Sequence, residues 1–252
     1  MASSDDGPAA ERWRRLVAAR LGEMERLSPG LGSVSGGFWD RRAERYAAGS
    51  SAAHAEEDPF LRRLCRVMGP ASTAIDVGAG TGRYALPLAA GVGHVTAVDP
   101  SAAMLAILRR DAERLGVTNL TTVQRTWEQA GTAAADVVFS AFVLTLVPDA
   151  RPFLAKLDAA ARHHAFLYLG AYSADAVLDP LWRHFHEAPR APGPSYLDAL
   201  SVLRELEIEP KVKVVEIANR RRFATIDEAA EHYATGCCWP TPPPSDATSK
   251  DC

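Results

Sequence analysis

The sequence has few cysteines and no long apolar run. Two of its four cysteines, Cys237 and Cys238, are adjacent, which is poor geometry for a disulfide and a weak pattern for a metal site. The longest apolar stretch, residues 137–147, is too short to span a bilayer and is interrupted by Ser140 and Thr145. We therefore predict free thiols, no bound metal and no membrane segment.

The chain also lacks an excess of charge of one sign and a secretory leader. Its net charge is −3, so no overall field attracts a nucleic acid or an anionic membrane. Short basic runs such as residues 220–222 are typical of a solvated face. The first residues include Asp5 and Asp6 and show no apolar h-region. We predict a cytoplasmic protein without nucleic-acid or membrane partners; the sequence does not indicate its oligomeric state.

Composition divides the chain into three parts. Residues 1–57 predict a disordered start and an N-terminal helical cap, and residues 237–252 predict a disordered tail rich in proline, serine and threonine. Residues 58–236 form the predicted domain, with an irregular insertion at 172–210. Aromatic side chains at helical spacing in the cap either pack together or close over a ligand: Phe38, Trp39 and Tyr46.

Strand and helix patterns alternate through the domain. The strand patterns lie at 73–77, 94–98, 120–124, 136–142 and 165–170. The helical patterns lie at 38–47, 59–68, 82–90, 102–115, 149–161 and 196–207. Because repeated β-α units connect parallel strands by right-handed crossovers, we predict an α/β protein with a Rossmann-like, doubly wound, mostly parallel sheet.

One stretch, residues 74–83, organises the domain. An apolar strand pattern there meets three glycines in five positions, and glycine lets a backbone approach a ligand that a Cβ would exclude. The next strand ends in Asp99, seventeen residues after Gly82. This is the layout of a nucleotide-like cofactor site at the carboxyl ends of parallel strands. Arg83 occupies the position of the third glycine of a dinucleotide fingerprint, which disfavours an NAD(P)-dependent oxidoreductase.

Four segments together resemble the motifs of class I S-adenosylmethionine-dependent methyltransferases: 74–82, 97–105, 135–149 and 166–170. Their order and spacing match that family over roughly residues 58–172. The resemblance implies S-adenosyl-L-methionine as the cofactor and in-line methyl transfer to an acceptor as the activity. The sequence has no basic stripe that would suit a nucleic acid, so we predict a small-molecule acceptor. The atom that receives the methyl group could be oxygen, nitrogen or carbon.

The resemblance also implies roles for individual residues. Asp99 would accept hydrogen bonds from the ribose hydroxyls, and Asp76 would lie near the cofactor's amino group. The implied cofactor-binding residues are Asp76, Gly78, Ala79, Gly80, Gly82, Asp99, Pro100, Met104, Thr126, Trp127 and Ser140. Simpler interpretations stay open, because Asp99 could be a helix N-cap and both Met104 and Trp127 could be packing residues.

The catalytic residues are not identified by the sequence. A general base is needed only if the acceptor must lose a proton. The candidates are Tyr172, His184 and His186, which lie in the insertion where the family places substrate-facing residues. A histidine in a segment rich in Trp and Phe is also an ordinary packing residue. A regulatory protein that binds the cofactor without turnover is a further alternative.

The carboxyl-terminal part departs from the family. A strand pattern at 212–217 is the expected sixth strand, and a capping box at Thr225 and Glu228 predicts a helix to about Thr235. The family's sheet ends in an antiparallel seventh strand, but no apolar alternation remains after residue 236. We therefore expect the final antiparallel strand to be missing and the sheet to have six strands.

Overall fold

The computed structural model describes residues 7–27, 36–49, 58–171, 179–217 and 224–229. The strands are β1 (Thr73–Val77), β2 (His94–Asp99), β3 (Leu120–Gln124), β4 (Ala135–Ala141) and β5 (Ala161–Tyr168). The helices are α1 (Pro8–Leu27), α2 (Gly36–Asp40), α3 (Ala43–Gly49), α4 (Pro59–Val67), α5 (Ala85–Ala89), α6 (Ala102–Leu115), α7 (Ala150–Ala159), α8 (Asp179–His186) and α9 (Tyr196–Glu205).

The five strands form one parallel sheet in the order β3-β2-β1-β4-β5. The chain runs outward from β1 through β2 to β3, then returns to the other side of β1 at β4. The order therefore reverses between β1 and β4, and ligands of such sheets bind at the carboxyl ends of the strands beside this point. The parallel α/β fold is confirmed.

Helices cover both faces of the sheet. Apolar side chains of α4, α5 and α6 pack on one face, around Leu64, Leu105 and Leu108. Those of α1, α7 and α9 pack on the other, around Trp13, Phe153 and Val202. Burial on both faces explains why β1 and β4 read as continuous apolar runs rather than as alternating patterns.

The amino-terminal helix α1 is hydrogen-bonded to Glu205 at the end of α9. The Glu205 carboxylate accepts hydrogen bonds from the N–H groups of Ala9 and Ala10, at 2.6 and 3.2 Å, which satisfies two free donors at the start of α1. The Trp13 indole is fully buried and donates to the Val147 carbonyl, 2.8 Å away. Helix α1 thus packs into the core on one face of the sheet.

Three predicted boundaries need correction. The helix expected at 38–47 is two helices, because the chain turns at 41–42. The helix expected at 82–90 begins only at Ala85, since the preceding glycines hold positive φ angles and continue the turn. Strand β5 begins at Ala161 rather than at 165, because its first half is exposed and polar and shows no apolar pattern.

The expected sixth strand is wrong. Residues 208–217 form no strand, and the Val214 side chain is 70% exposed. Alternating valine and lysine predicts a strand only if an edge is available to pair with it, and a sequence pattern does not supply that partner. The sheet has five strands within the described residues, and the segment after residue 236 lies outside them.

Two helix starts are capped by side chains. Asp58 is the N-cap of α4, with its carboxylate accepting from the Phe60 N–H at 2.9 Å. The Thr225 hydroxyl accepts from the Glu228 N–H at 3.1 Å, and residues 226–229 are helical. In the described part of the chain, no helix is long and apolar enough to cross a membrane.

Candidate functional site

The loop after β1 is a turn built on glycines with positive φ. Gly78 has φ 77° and Gly80 has φ 54°. A Cβ on Gly78 would collide with the Val143 side chain, whereas a Cβ on Gly80 would meet nothing closer than the Tyr46 ring, 4.0 Å away. Gly78 is therefore required by packing. Gly80 faces open space on the outer side of the turn, where a ligand can approach the backbone.

The Asp99 carboxylate joins this turn to the end of β2. Its Oδ2 accepts from the Gly80 N–H at 2.9 Å, and its Oδ1 accepts from the Ser101 N–H at 2.8 Å. Burial raises the pKa of Asp99, and these two N–H groups oppose that rise. The N-cap of α6 is Ser101, which accepts from the Met104 N–H at 3.1 Å, so the N-cap alternative for Asp99 is wrong.

Each Asp99 oxygen still has accepting capacity after these bonds. A carboxylate offers about four lone-pair sites, and the two backbone N–H groups use one on each oxygen. The residue is 8% exposed, so its carboxylate is largely shielded from solvent. Asp99 can hold the turn and accept from a ligand hydroxyl at the same time.

The Asp76 carboxylate is buried under the turn and incompletely bonded. It is 2% exposed, and its Oδ2 has no hydrogen-bond partner among the described residues. Burial, and then the charge of Asp99, raise the pKa of Asp76 to about 8, although the Ala85 N–H lowers it. A buried carboxylate oxygen without a donor is costly unless a ligand supplies one. An ammonium group fits that need.

The other implied cofactor contacts occupy varied environments. The Ser140 hydroxyl donates to the Val77 carbonyl at 2.9 Å, which ties the ends of β4 and β1 together. Met104 is buried against Ala43 and Ile107. Pro100 and Thr126 are half-buried, and Ala79 and Gly82 are buried within the turn.

Trp127 lies in the core beneath α7. Its indole N–H donates to the Phe153 carbonyl at 3.2 Å, and the Lys156 ammonium lies 4.7 Å from its ring centre. The same ammonium donates to three carbonyls of this turn, those of Trp127, Glu128 and Ala130. The structure therefore gives Trp127 the packing role that the sequence left as an alternative.

The structure does not place the candidate catalytic residues together at the glycine turn. His184 and His186 lie on α8, where the His186 ring is 4.3 Å from that of Trp182. Tyr172 lies outside the described residues. Within the described ranges, no group of three or more His, Cys, Asp and Glu side chains could hold a metal ion.

Sequence reasoning missed Asp40, which docks α2 onto this site. Its Oδ1 accepts from the Ser101 hydroxyl at 2.6 Å and from the Ala103 N–H at 3.0 Å. These two donors lower the pKa of Asp40. Tyr46 follows on α3 and lies beside Gly80. An aspartate on an exposed helix carries no sequence signal for such a long-range contact.

The Trp39 ring is in edge contact with both Phe38 and Tyr46. The ring centres of Phe38 and Trp39 are 5.1 Å apart, and those of Trp39 and Tyr46 are 6.1 Å apart. The Phe38 ring is buried, whereas Tyr46 is 40% exposed and faces the turn. The structure therefore shows these three aromatics packing together, with Tyr46 beside Gly80.

Part of the chain is similar to a known protein family. Residues 74–164 match the family described as "Methyltransferase domain". The matched segment runs from β1 into β5 and includes Asp76, the glycine turn and Asp99.

A relative of this chain occurs in Haemophilus influenzae (strain ATCC 51907 / DSM 11121 / KW20 / Rd). This uncharacterized protein is 30% identical over 133 residues, which cover 51% of this chain and 48% of that protein. The chain therefore spans about half the length of the curated relative that it matches.

Two solved structures resemble the chain. A SAM-dependent methyltransferase from Aquifex aeolicus has a TM-score of 0.51 and 19% identity, over 65% of this chain and 86% of that chain. This likeness supports the fold. The YcgJ protein from Bacillus subtilis has a TM-score of 0.46 and 20% identity, over 57% of this chain and 65% of that chain.

Proposed function

We propose that the chain is an S-adenosylmethionine-dependent methyltransferase that acts on a small molecule by in-line methyl transfer. The observation that carries the proposal is the buried, unpartnered Oδ2 of Asp76 beneath the glycine turn of a methyltransferase domain. An amino-acid ammonium would satisfy this oxygen, and the open side of Gly80 would admit the adjoining chain. The methionine part of the cofactor has both features.

Several residues would hold the rest of the cofactor. The free lone pairs of Asp99 would accept from the two ribose hydroxyls, which are charge-assisted bonds. Pro100 and Met104 would contact the adenine ring, and Thr126 would lie at its edge. The contact proposed for Trp127 would require its backbone atoms, because its indole N–H already donates within the protein. The Ser140 hydroxyl donates to Val77 and could still accept a hydrogen bond from the cofactor.

The protein's task in such a reaction is positioning. S-adenosylmethionine supplies an activated methyl group on a sulfonium and leaves as a neutral thioether. Holding the acceptor atom close to that methyl and aligned with it is worth roughly 7–11 kcal/mol. No general base is required for an acceptor that is already unprotonated. His184, His186 and Tyr172 stay candidates for acceptors that must lose a proton.

A small acceptor is favoured over a nucleic acid by charge. The net charge of −3 provides no electrostatic attraction for a polyanion. The experiment is transfer of a labelled methyl group from S-adenosylmethionine to a panel of small hydroxy, carboxy, amino and carbon-acid compounds, detected by mass spectrometry. Methylation of one compound class would support the proposal.

Two outcomes would favour the rival functions. Tight binding of S-adenosylmethionine with no turnover on any compound would favour a regulatory protein. Binding of NAD or NADP in place of S-adenosylmethionine would favour an oxidoreductase. A thermal-shift comparison of the three ligands separates these cases, because a ligand that binds only the native state raises the unfolding temperature.

A further inference from the structure

A second group of side chains lies beside the glycine turn, and the proposed cofactor contacts leave it unused. We call it the acceptor-side cluster: Asp58, Arg83, Phe142 and Tyr168. Arg83 directly follows the turn, while Phe142 and Tyr168 lie at the carboxyl ends of β4 and β5. The cluster therefore occupies the same edge of the sheet as the cofactor site.

Asp58 is the centre of the cluster and is almost fully bonded. Its Oδ1 accepts from the Phe60 N–H at 2.9 Å. Its Oδ2 accepts from the Arg83 guanidinium and the Tyr84 hydroxyl, each at 3.0 Å. Because three donors occupy most of its lone-pair sites, this carboxylate has little capacity left to accept a hydrogen bond from a ligand.

Arg83 keeps most of its donors. A guanidinium carries five N–H groups, and the structure gives Arg83 one hydrogen bond among the described residues, to Asp58. Its side chain is 42% exposed, whereas that of Asp58 is 4% exposed. The cation therefore has unused N–H groups on a partly exposed side chain.

The Tyr168 hydroxyl is buried and has no hydrogen-bond partner among the described residues. Its ring stacks on Phe60, with centres 4.6 Å apart and planes at 15°, and the residue is 9% exposed. Burial, and then the Asp58 charge, raise the pKa of Tyr168 to about 12, so the hydroxyl is a donor at neutral pH. A buried hydroxyl without a partner costs free energy that a bound acceptor atom would recover.

Phe142 completes the cluster with an exposed aromatic face. Its φ is 61°, a strained conformation for a bulky residue, and the side chain is 42% exposed. The Phe142 ring centre lies 4.8 Å from that of Tyr168, and the Phe142 N–H donates to the Tyr168 carbonyl at 2.8 Å.

The cluster offers donors, a positive charge and an aromatic surface. Donors require an oxygen acceptor on the ligand, and the Arg83 charge opposes an ammonium. We propose that the acceptor-side cluster binds a methyl acceptor with a carboxylate or similar oxyanion, which Arg83 and Tyr168 bind, and a planar apolar part against Phe142. This inference rests on the proposed methyltransferase function.

The test uses the full chain and compares benzoate with its neutral isostere, benzamide. Affinities are measured by ligand-observed NMR titration, with and without saturating S-adenosylhomocysteine. A hydrogen bond to a charged group justifies an expected preference for benzoate of at least about tenfold. Equal affinities, or no binding of benzoate in either condition, would overturn the proposal.

Tyr168→Phe separates ligand binding from folding. It removes a hydroxyl that has no partner among the described residues, so we expect benzoate affinity to fall about tenfold while the unfolding temperature stays the same or rises. Tyr84→Phe is the matched control, because its hydroxyl is bonded to Asp58. The control should lower the unfolding temperature and change benzoate affinity less than about twofold. The reverse pattern would show that Tyr168 is only structural.

Arg83→Gln separates the acceptor site from the cofactor site. We expect it to remove the preference for benzoate over benzamide and to keep S-adenosylhomocysteine affinity within about threefold of the wild type. Loss of S-adenosylhomocysteine affinity alone would assign Arg83 to the cofactor and contradict the inference. Failure of the wild type to bind S-adenosylhomocysteine would instead refute the proposed function, and the titration without it would still decide the cluster.

Discussion

Asp76 should release a proton when the methyl donor or its product binds. Its pKa is about 8 in the ligand-free chain, because the carboxyl is buried and lies near the Asp99 charge. At about pH 6.5 the group is therefore almost fully protonated. A ligand ammonium beside the carboxylate favours its charged form, so binding should release close to one proton per site.

The same burial sets the pH dependence of stability without ligand. Folding raises the pKa of Asp76 from the 3.8 of a solvent-exposed aspartate, so between about pH 4 and pH 8 the native state binds a proton that the unfolded state lacks. The contribution to the free energy of unfolding therefore falls as pH rises through this window, by about 1.4 kcal/mol per pH unit. Asp76→Asn removes the titration and should flatten this slope.

Calorimetry measures the proton directly. S-adenosylhomocysteine is titrated into the protein at about pH 6.5 in buffers that differ in ionisation enthalpy, and the dependence of the observed enthalpy gives the number of protons released. We expect about one proton for the wild type and none for Asp76→Asn, with affinity at least about tenfold weaker in the variant. Binding by the wild type without proton release would show that Asp76 is already ionised, and the burial argument would fail.

Three further substitutions test the geometry of the site and its supports. Gly80→Ala should weaken S-adenosylhomocysteine binding at least about tenfold in calorimetry, since the added Cβ would occupy the space proposed for the ligand. The positive φ of the new alanine should cost only about 1–2 kcal/mol of stability. Unchanged affinity would refute the proposal that the ligand approaches the backbone at Gly80. Lys156→Met should lower the free energy of unfolding, measured by urea denaturation, by about 2–4 kcal/mol, because three carbonyls lose a charged donor. A change below about 0.5 kcal/mol would contradict this role of Lys156. Asp40→Ala should increase the rate of proteolysis within residues 36–49, because the hydrogen bond from the Ser101 hydroxyl is lost. Equal cleavage rates for the variant and the wild type would show that other contacts hold α2 in place.

The sequence predicted the parallel sheet and the turn because both depend on local patterns. Apolar strands covered on both faces and glycines at fixed spacing are visible in one dimension. Asp76 and Asp99 were found in the same way, since each lies at or next to a strand end. The long-range hydrogen bonds of Asp40 and Asp58 left no such pattern, and only the folded chain brings their partners together.

The alternation of apolar and polar residues alone was not enough to predict the sixth strand correctly. Residues 212–217 have the period of a half-buried strand, but the structure pairs them with no edge. Trp127 shows a related limit: its place in the motif order did not reveal that its indole N–H donates to α7. Register and side-chain direction are tertiary properties that a spacing argument does not supply.

Direct binding to the wild-type chain and to Asp99→Asn tests the central claim. The substitution keeps the shape of a side chain that holds the turn but removes the charge proposed to accept the ribose hydroxyls. Calorimetry should show one S-adenosylhomocysteine bound per wild-type chain and affinity at least about tenfold weaker for the variant. Binding of NAD in place of S-adenosylhomocysteine, or equal affinity of both chains, would contradict a methyl-donor site at this turn.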